Sequence, residues 1–130
     1  MKKLLGKSLI ISIFCLPLVD DVYLNFKNQD QHAQRFSYFF GSPNRYKQNS
    51  AYDWLDSVNQ YLNEAIKDKD SMAIKHYMLM QSQVYYDLGD YDKSLAISSE
   101  LYDEKDQLEL DFKAKLLGLM DSTYSQLALY

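Results

Sequence analysis

The side chains that could support acid–base or metal chemistry are few and scattered in this sequence. Its two histidines, His32 and His76, lie far apart, and neither belongs to a His-Glu-x-x-His motif or to a cluster with metal-ligand spacing. Acidic pairs spaced three residues apart fall on or between predicted helices, where carboxylates usually cap helices or face solvent. These pairs are Asp53/Asp56, Asp87/Asp90 and Asp103/Asp106. We therefore expect no catalytic activity, no metal site and no cofactor.

Length and composition predict a single helical domain. The chain has 130 residues, of which 47% are hydrophobic and 25% are charged, as in a folded globular protein. Four isolated glycines and two prolines are too few for a many-turned β-sandwich or barrel, and they offer no glycine-rich phosphate loop. The single cysteine excludes an intramolecular disulfide framework. The predicted fold class is therefore all-α.

The amino end has the order of a secretory signal. Residues 1–7 are basic, residues 8–19 are mostly apolar, and Asp20 ends the run. This run is shorter than the roughly 20 residues of a membrane-spanning helix. We predict that residues 1–19 are a signal peptide and that the protein is exported, to the periplasm or the exterior; an uncleaved membrane anchor is the alternative. Cleavage would remove Cys15 and three lysines and would change the net charge from −4 to about −7.

Hydrophobic periodicity predicts helices from Ser50 onward. Apolar residues recur at spacings of three and four in four stretches, which are residues 51–66, about 74–88, 91–103 and from 106 onward. Ser50 and Asp90 can cap the first and third of these helices, and Gly89 can adopt the positive φ of a helix end. Asp106, with Glu109 three residues later, predicts a capping box for the last helix. Antiparallel helix-turn-helix pairs result.

Residues 20–49 form a polar and aromatic segment before these helices. Phenylalanines cluster just ahead of a Gly-Ser-Pro-Asn turn at residues 41–44. We predict a short helix over about residues 30–40, followed by a loop. The helical domain proper is predicted to span residues 50–130.

Residues 85–95 carry a resemblance to a known family. Their sequence, Tyr-Tyr-Asp-Leu-Gly-Asp-Tyr-Asp-Lys-Ser-Leu, resembles the centre of a tetratricopeptide repeat, where a helix with aromatic residues at its end meets a Gly-Asp-Tyr turn. Repeats of that family are about 34 residues long, so one would cover about residues 75–108 and the next would begin near Glu109. The chain departs from the family's pattern at Ser82, Ser94, Leu101 and Asp106. The alternative is another bundle in which one hairpin shares the turn.

The resemblance implies that the first helix of each pair lines a concave face that binds a partner. The outward positions expected on this face are His76, Gln83, Tyr86 and Asp87 in one first helix and Lys113 and Asp121 in the next. A second interface-like group is Arg45 with Tyr46, preceded by Arg35, because arginine and tyrosine are enriched at protein interfaces. The alternative for this group is a loop whose long side chains lie on the adjacent helix.

The sequence holds twelve tyrosines, more than a thin helical layer can bury completely. The tyrosines that we expect in the core are Tyr61, Tyr77, Tyr85, Tyr91 and Tyr102. Those that we expect on a surface that recognises a partner are Tyr38, Tyr46, Tyr52, Tyr86, Tyr124 and Tyr130.

Acidity and aromatic surplus together favour protein binding. Residues 51–130 carry seven lysines against fifteen acidic side chains, which is the opposite of a nucleic-acid-binding surface. We expect a non-catalytic interaction module of the cell envelope or the secreted space that binds a protein or peptide, and neither nucleic acid nor a small-molecule cofactor. The alternatives are a small inhibitor or immunity protein that neutralises an envelope toxin or hydrolase, and a subunit of a larger envelope assembly. Membrane association is predicted only through residues 1–19, and an oligomer or complex through the apolar residues 127–130.

Overall fold

The protein is built from helices joined by short turns. A computed structural model describes residues 27–129. Along the chain the helices are α1 (residues 27–41), α2 (Arg45–Gln48), α3 (Ala51–Lys67), α4 (Ser71–Asp87), α5 (Tyr91–Tyr102) and α6 (Leu110–Ala128), with a 3₁₀ turn at Lys105–Gln107. Residues 27–129 contain no strand, so the predicted all-α fold class is confirmed. The predicted signal or anchor segment 1–19, with Cys15, lies outside the described residues, and so does Tyr130.

Polar caps and one glycine define the turns between helices. The Ser50 hydroxyl accepts a hydrogen bond from the Asp53 amide at 3.1 Å where α3 begins. The Asp90 carboxylate accepts one from the Lys93 amide at 3.3 Å where α5 begins. Each cap satisfies an amide that has no partner within its own helix. Gly89 has a φ of 82°, a conformation that favours glycine. The predicted caps and the predicted glycine turn are therefore confirmed.

The predicted start of the last helix at Asp106 is wrong. Asp106 lies in the 3₁₀ turn, and α6 begins at Leu110 with Glu109 as its N-cap residue. The Glu109 side chain accepts no hydrogen bond from the first amides of α6, so the predicted capping box does not form. Backbone hydrogen bonds between residues three apart tighten this stretch into a 3₁₀ turn, and the extended backbone at Leu108, with a ψ of 143°, separates it from α6.

Helix α1 covers the stretch in which the sequence predicts a short helix and is longer than that helix at both ends. The predicted loop that follows contains the single helical turn α2. His32 in the first half of α1 contacts Asp68 at the end of α3, whereas Phe39 near the end of α1 packs on Trp54 near the start of α3. These two contacts show that α1 and α3 run antiparallel.

Neighbouring helices pack side by side in alternating directions. The pairs α3 with α4, α4 with α5 and α5 with α6 are antiparallel neighbours, so α1, α4 and α6 all run in the same direction. This arrangement is compatible with a helical repeat. At the contact between α4 and α5, the buried Ser82 hydroxyl donates a hydrogen bond to the buried Ser94 carbonyl at 2.7 Å. The bond satisfies a hydroxyl whose burial without a partner would cost about 1–3 kcal/mol.

Two groups of buried side chains form the core. The first lies where α1, α3 and α4 meet, and its fully buried members are Phe39, Val58, Ala65, Tyr77, Met80 and Val84. The second lies between α4, α5 and α6, and its most buried members are Leu79, Leu101 and Leu116. Phe36 and Phe40 of α1 pack against both groups. Helix α1 is thus part of the same core as the later helices.

The tyrosines divide only partly as expected. Among those expected in the core, Tyr77 is fully buried, whereas the half-buried ones are Tyr61, Tyr85, Tyr91 and Tyr102. Among those expected at the surface, the exposed ones are Tyr38, Tyr52 and Tyr124, and the half-buried ones are Tyr46 and Tyr86. Half-burial suits tyrosine because its ring can pack while its hydroxyl reaches a polar group or water.

No helix between residues 27 and 129 has the length and apolar character needed to cross a membrane.

Candidate functional site

A buried polar cluster attaches α1 to α3 and α4. The His32 ring is nearly inaccessible, with Nδ1 2.5 Å from the Tyr77 hydroxyl and Nε2 3.1 Å from the Asp68 carboxylate. Arg35 donates from Nη1 to the Glu64 carboxylate at 2.7 Å and to the Tyr77 hydroxyl at 3.3 Å. Burial raises the pKa of Tyr77, so the phenol stays protonated at neutral pH. These bonds satisfy the buried polar atoms and fix the position of α1 on the other helices.

An aromatic stack connects the three parallel helices. The imidazole of His76 on α4 lies 4.2 Å from the Phe36 ring of α1 and 5.6 Å from the Phe112 ring of α6, between centroids. The two phenylalanine rings are themselves 6.1 Å apart, so the three rings form a triangle of mutual contacts. Burial lowers the pKa of His76, and this effect outweighs the opposing charges of Glu109 and Asp70. The imidazole is therefore neutral at pH 7 and contributes a largely apolar ring to this face.

Two adjoining clefts open beside the stack, at the amino-terminal ends of α4 and α6. One cleft, of about 210 Å³, lies between α4 and the start of α6. The other, of about 530 Å³, lies between α1 and the start of α4. Met72 and His76 line both clefts, and Met72 is 53% exposed. We call the two clefts together the Met72 cleft. Its other lining residues include Lys75, Leu108, Glu109 and Phe112 on one side and Asp30, His32, Ala33 and Asp70 on the other.

The rim of the Met72 cleft is acidic. Asp30, Asp70 and Glu109 border it. Lys75 also borders it, but its ammonium group lies 3.2 Å from the Glu104 carboxylate, which offsets its charge. An apolar floor with an acidic rim is complementary to a ligand that carries an apolar side chain next to a basic group.

A second polar group joins the loop after α1 to the end of α4. Asp87 accepts hydrogen bonds from the Tyr46 hydroxyl, from Arg45 Nη2 at 3.3 Å and from Gln83 Nε2 at 3.0 Å. Arg45 also donates to the Phe39 carbonyl at 3.1 Å. Burial raises the pKa of Tyr46 to about 12, and the neighbouring Asp87 adds to this shift. The group holds the loop against α4. This arrangement matches the alternative given for Arg45 and Tyr46, a loop whose long side chains lie on the adjacent helix.

The residues predicted to bind a partner belong to several different contact groups, although His76, Gln83 and Asp87 lie along one row of α4. His76 belongs to the aromatic stack, and Arg35 belongs to the polar cluster under α1. Arg45, Tyr46, Gln83 and Asp87 bind one another at the end of α4. The Tyr86 ring lies 5.4 Å from the Tyr91 ring between α4 and α5, and Lys113 and Asp121 lie on α6. A binding role for these residues stays a prediction.

The residues of the Met72 cleft other than His76 were not among those predicted from the sequence. Met72 follows a charged turn and is exposed like a surface residue, and the spacing of Asp106 and Glu109 predicts a helix cap there. Phe36 and Phe112 are separated from His76 by many residues, so no local spacing indicates that the three rings meet. The one available indication was the cluster of phenylalanines before residue 41, which marks α1 as a helix with an aromatic face.

Within residues 27–129, no group of three or more histidine, cysteine, aspartate or glutamate side chains is placed to hold a metal ion.

Comparison with known proteins found no protein-family model, no curated protein and no solved structure that matches the chain.

Proposed function

We propose that the protein is a non-catalytic interaction module that binds a segment of another protein in the Met72 cleft. The observation that carries this proposal is the pair of clefts that share Met72 and His76 across three parallel helices. The exposed Met72 side chain supplies a flexible apolar contact, and methionine adapts readily to different ligands. The rings of His76 and Phe112, which contact each other at 5.6 Å, line the cleft between α4 and α6 and give it a rigid aromatic lining.

The chemistry of the rim specifies the ligand class. Asp30, Asp70 and Glu109 favour a peptide with lysine or arginine next to an apolar anchor, since opposite charges at a rim steer association and select partners. Because His76 is neutral, an apolar anchor can pack against its ring without burying an unpaired charge.

The architecture that fits this proposal is a short tetratricopeptide-like array. In such an array α4 and α5 form one pair, α3 is the second helix of the preceding pair, and α6 is the first helix of the next. Helix α1 then takes the place of the first helix that precedes α3, although the connection through α2 is longer than the turn between α4 and α5. On this proposal the cleft lies on the face that the first helices line, and the module works after export, in the periplasm or outside the cell.

The test compares two equally exposed apolar residues. Met72 and Ile66 are each 53% exposed, but Ile66 borders neither cleft. We expect Met72→Asp to lose, in affinity capture of the tagged full chain from its own cells, the partner that the wild type and Ile66→Asp retain. Equal recovery of the same partner by Met72→Asp and Ile66→Asp would reject the cleft as the binding site.

A further inference from the structure

A further cleft lies between α1 and α3, whereas the Met72 cleft lies on the α4 side of α1. It has a volume of about 230 Å³ and shares no lining residue with the Met72 cleft. Residues three or four apart contribute to it from each helix, so that one row of α1 faces one row of α3. The lining residues are Arg35 and Tyr38 of α1, Trp54, Ser57 and Tyr61 of α3, and Asn49 between α2 and α3. We call this the Tyr38 cleft.

The guanidinium group of Arg35 is held in place with one edge free. Its Nη1 atom donates hydrogen bonds to Glu64 and to the Tyr77 hydroxyl, and its central carbon lies 3.9 Å from the centroid of the Tyr61 ring. Nε and Nη2 form another edge of the group, and neither has a hydrogen-bond partner among the described residues. Within this part of the chain only Arg45 Nε is buried without a partner, so the free edge of Arg35 is accessible to solvent. This edge is a fixed pair of donors that can bind two neighbouring oxygen atoms at once.

Two more polar side chains of the Tyr38 cleft have unused hydrogen-bonding capacity. The Asn49 amide and the Ser57 hydroxyl make no hydrogen bond to any other side chain or backbone group of the described residues. Asn49 is exposed and Ser57 is half-buried, so both can reach a molecule in the cleft. Each of them can donate and accept, whereas Arg35 only donates. A molecule with several hydroxyl groups suits all three, since a hydroxyl also donates and accepts.

Aromatic rings supply the apolar part of the Tyr38 cleft. The Tyr38 ring is 59% exposed and lies 6.2 Å from the Trp54 ring, between centroids. Trp54 is fixed by the hydrogen bond from its indole nitrogen to the Arg45 carbonyl, at 2.9 Å, and by an edge contact with Phe39. The face of an aromatic ring is negative and attracts C–H groups, which carry a partial positive charge. The cleft therefore combines an open ring face with the free edge of Arg35.

The charges around the Tyr38 cleft favour an uncharged ligand. Arg35 is the only charged residue among those that line it, and the Glu64 carboxylate, at 2.7 Å, offsets that charge. An anion would be repelled by Glu64 and by the net charge of −4 of the chain, and a cation would be repelled by Arg35. The rings of neutral sugars combine neighbouring hydroxyl oxygens with a face of C–H groups. We propose that the Tyr38 cleft binds an uncharged saccharide, whose ring packs on Tyr38 while two neighbouring hydroxyl groups accept hydrogen bonds from Arg35.

The fluorescence of Trp54 tests this binding directly, because Trp54 is the only tryptophan of the chain and lines the cleft. The probes are the methyl glycosides of glucose, galactose, mannose and N-acetylglucosamine, added to the full chain. We expect at least one of them to change the Trp54 emission with a dissociation constant of about 1–10 mM. Sorbitol, which has similar hydroxyl groups but no ring, should not. Saturation-transfer NMR on the same glycosides provides a second measurement that does not depend on Trp54.

Substitutions at accessible positions of the cleft test the assigned contacts. Tyr38→Ala should weaken binding of the responding glycoside at least about fivefold, and Tyr38→Phe should change it by less than about twofold, since the ring face makes the contact. Asn49→Ala and Ser57→Ala should each weaken it about two- to tenfold. The control is Tyr52→Ala, because Tyr52 is 70% exposed on α3 and lines neither cleft. Circular dichroism on each variant checks that the helices are intact.

Three results would overturn the proposal. The first is that none of the four glycosides gives a response in either measurement. The second is that Tyr38→Ala binds the responding glycoside as tightly as Tyr52→Ala does. The third is that benzoate changes the Trp54 emission while the glycosides do not, which would show that the free edge of Arg35 binds a carboxylate. Because no residue lines both clefts, the Met72 cleft and the Tyr38 cleft are tested independently.

Discussion

The ring of His76 stacks on the ring of Phe36 with 4.2 Å between centroids and 22° between the ring planes. The two residues belong to α4 and α1, and Phe112 of α6 contacts both rings, with its centroid 5.6 Å from His76 and 6.1 Å from Phe36. A titratable group thus lies at the meeting point of three helices, where its protonation state affects both the stability of the fold and the floor of the Met72 cleft.

Lowering the pH should destabilise the protein through His76. The folded state holds the pKa of His76 below its ordinary value of 6.5, because burial disfavours the imidazolium more than Glu109 and Asp70 favour it. The unfolded chain therefore takes up the proton first as the pH falls, and stability is lost from about pH 6.5 down to the lowered pKa of the folded state. We expect the melting temperature of His76→Phe to fall less between pH 7.5 and pH 5 than that of wild type. Equal pH dependence in both proteins would contradict this account.

The Tyr77 hydroxyl should contribute to stability by satisfying buried nitrogens. Tyr77→Phe leaves His32 Nδ1 without its partner and removes one acceptor from Arg35. We expect the free energy of unfolding in urea to fall by about 1–3 kcal/mol. Tyr52→Phe, at an exposed site, is the control and should change it by less than about 0.5 kcal/mol. If both variants were equally stable, the buried polar cluster would not be what attaches α1.

Asp87 should hold the loop between α1 and α3 in place. Asp87→Ala removes the acceptor shared by Arg45, Tyr46 and Gln83, and we expect a loss of about 1–3 kcal/mol in urea unfolding. The matched control is Asp111→Ala, which removes an exposed ion pair with Lys115 within α6 and should cost less than about 0.5 kcal/mol. Similar losses in the two variants would show that Asp87 acts as an ordinary surface carboxylate.

Replacing Gly89 or Gly118 with alanine should change the stability of the protein in opposite directions. Gly89→Ala forces a side chain into a φ of 82° and should cost about 1–2 kcal/mol, even though the space around the site is open. Gly118→Ala lies inside α6 with nothing within 4 Å of the added carbon, and should stabilise the protein by about 0.5–1 kcal/mol through helix propensity. Thermal unfolding of the two variants measures the contrast, and a loss at both sites would contradict the role assigned to the turn.

The local features of this fold could be predicted from the sequence because each depends on neighbouring residues. Ser50 and Asp90 cap helices that follow them directly, and Gly89 makes its turn with the residues beside it. The start of α6 was predicted wrongly for a related reason. Asp106 and Glu109 have the spacing of a capping box, but the backbone between them forms a 3₁₀ turn and then becomes extended. The spacing of the two side chains does not reveal this backbone conformation.

The candidate site could not be predicted, because it depends on contacts between distant parts of the chain. His32 and Tyr77 are 45 residues apart, and Phe36 meets His76 only when α1 packs across α4. Periodicity indicates that a helix has an apolar face but not which helix covers it. The sequence therefore predicts Arg45 in an interface-like group and Asp87 at an outward position implied by the resemblance, whereas in the folded chain the two side chains bind each other.

The most direct test of the proposed function is site-specific photo-crosslinking of the full chain in its own cells, with a photoreactive residue at position 72 or at position 66. The proposal predicts a discrete crosslinked partner from position 72, reduced when Glu109 is changed to lysine, and no such product from position 66. The same products from both positions, or a position-72 product unaffected by Glu109→Lys, would contradict binding in the Met72 cleft.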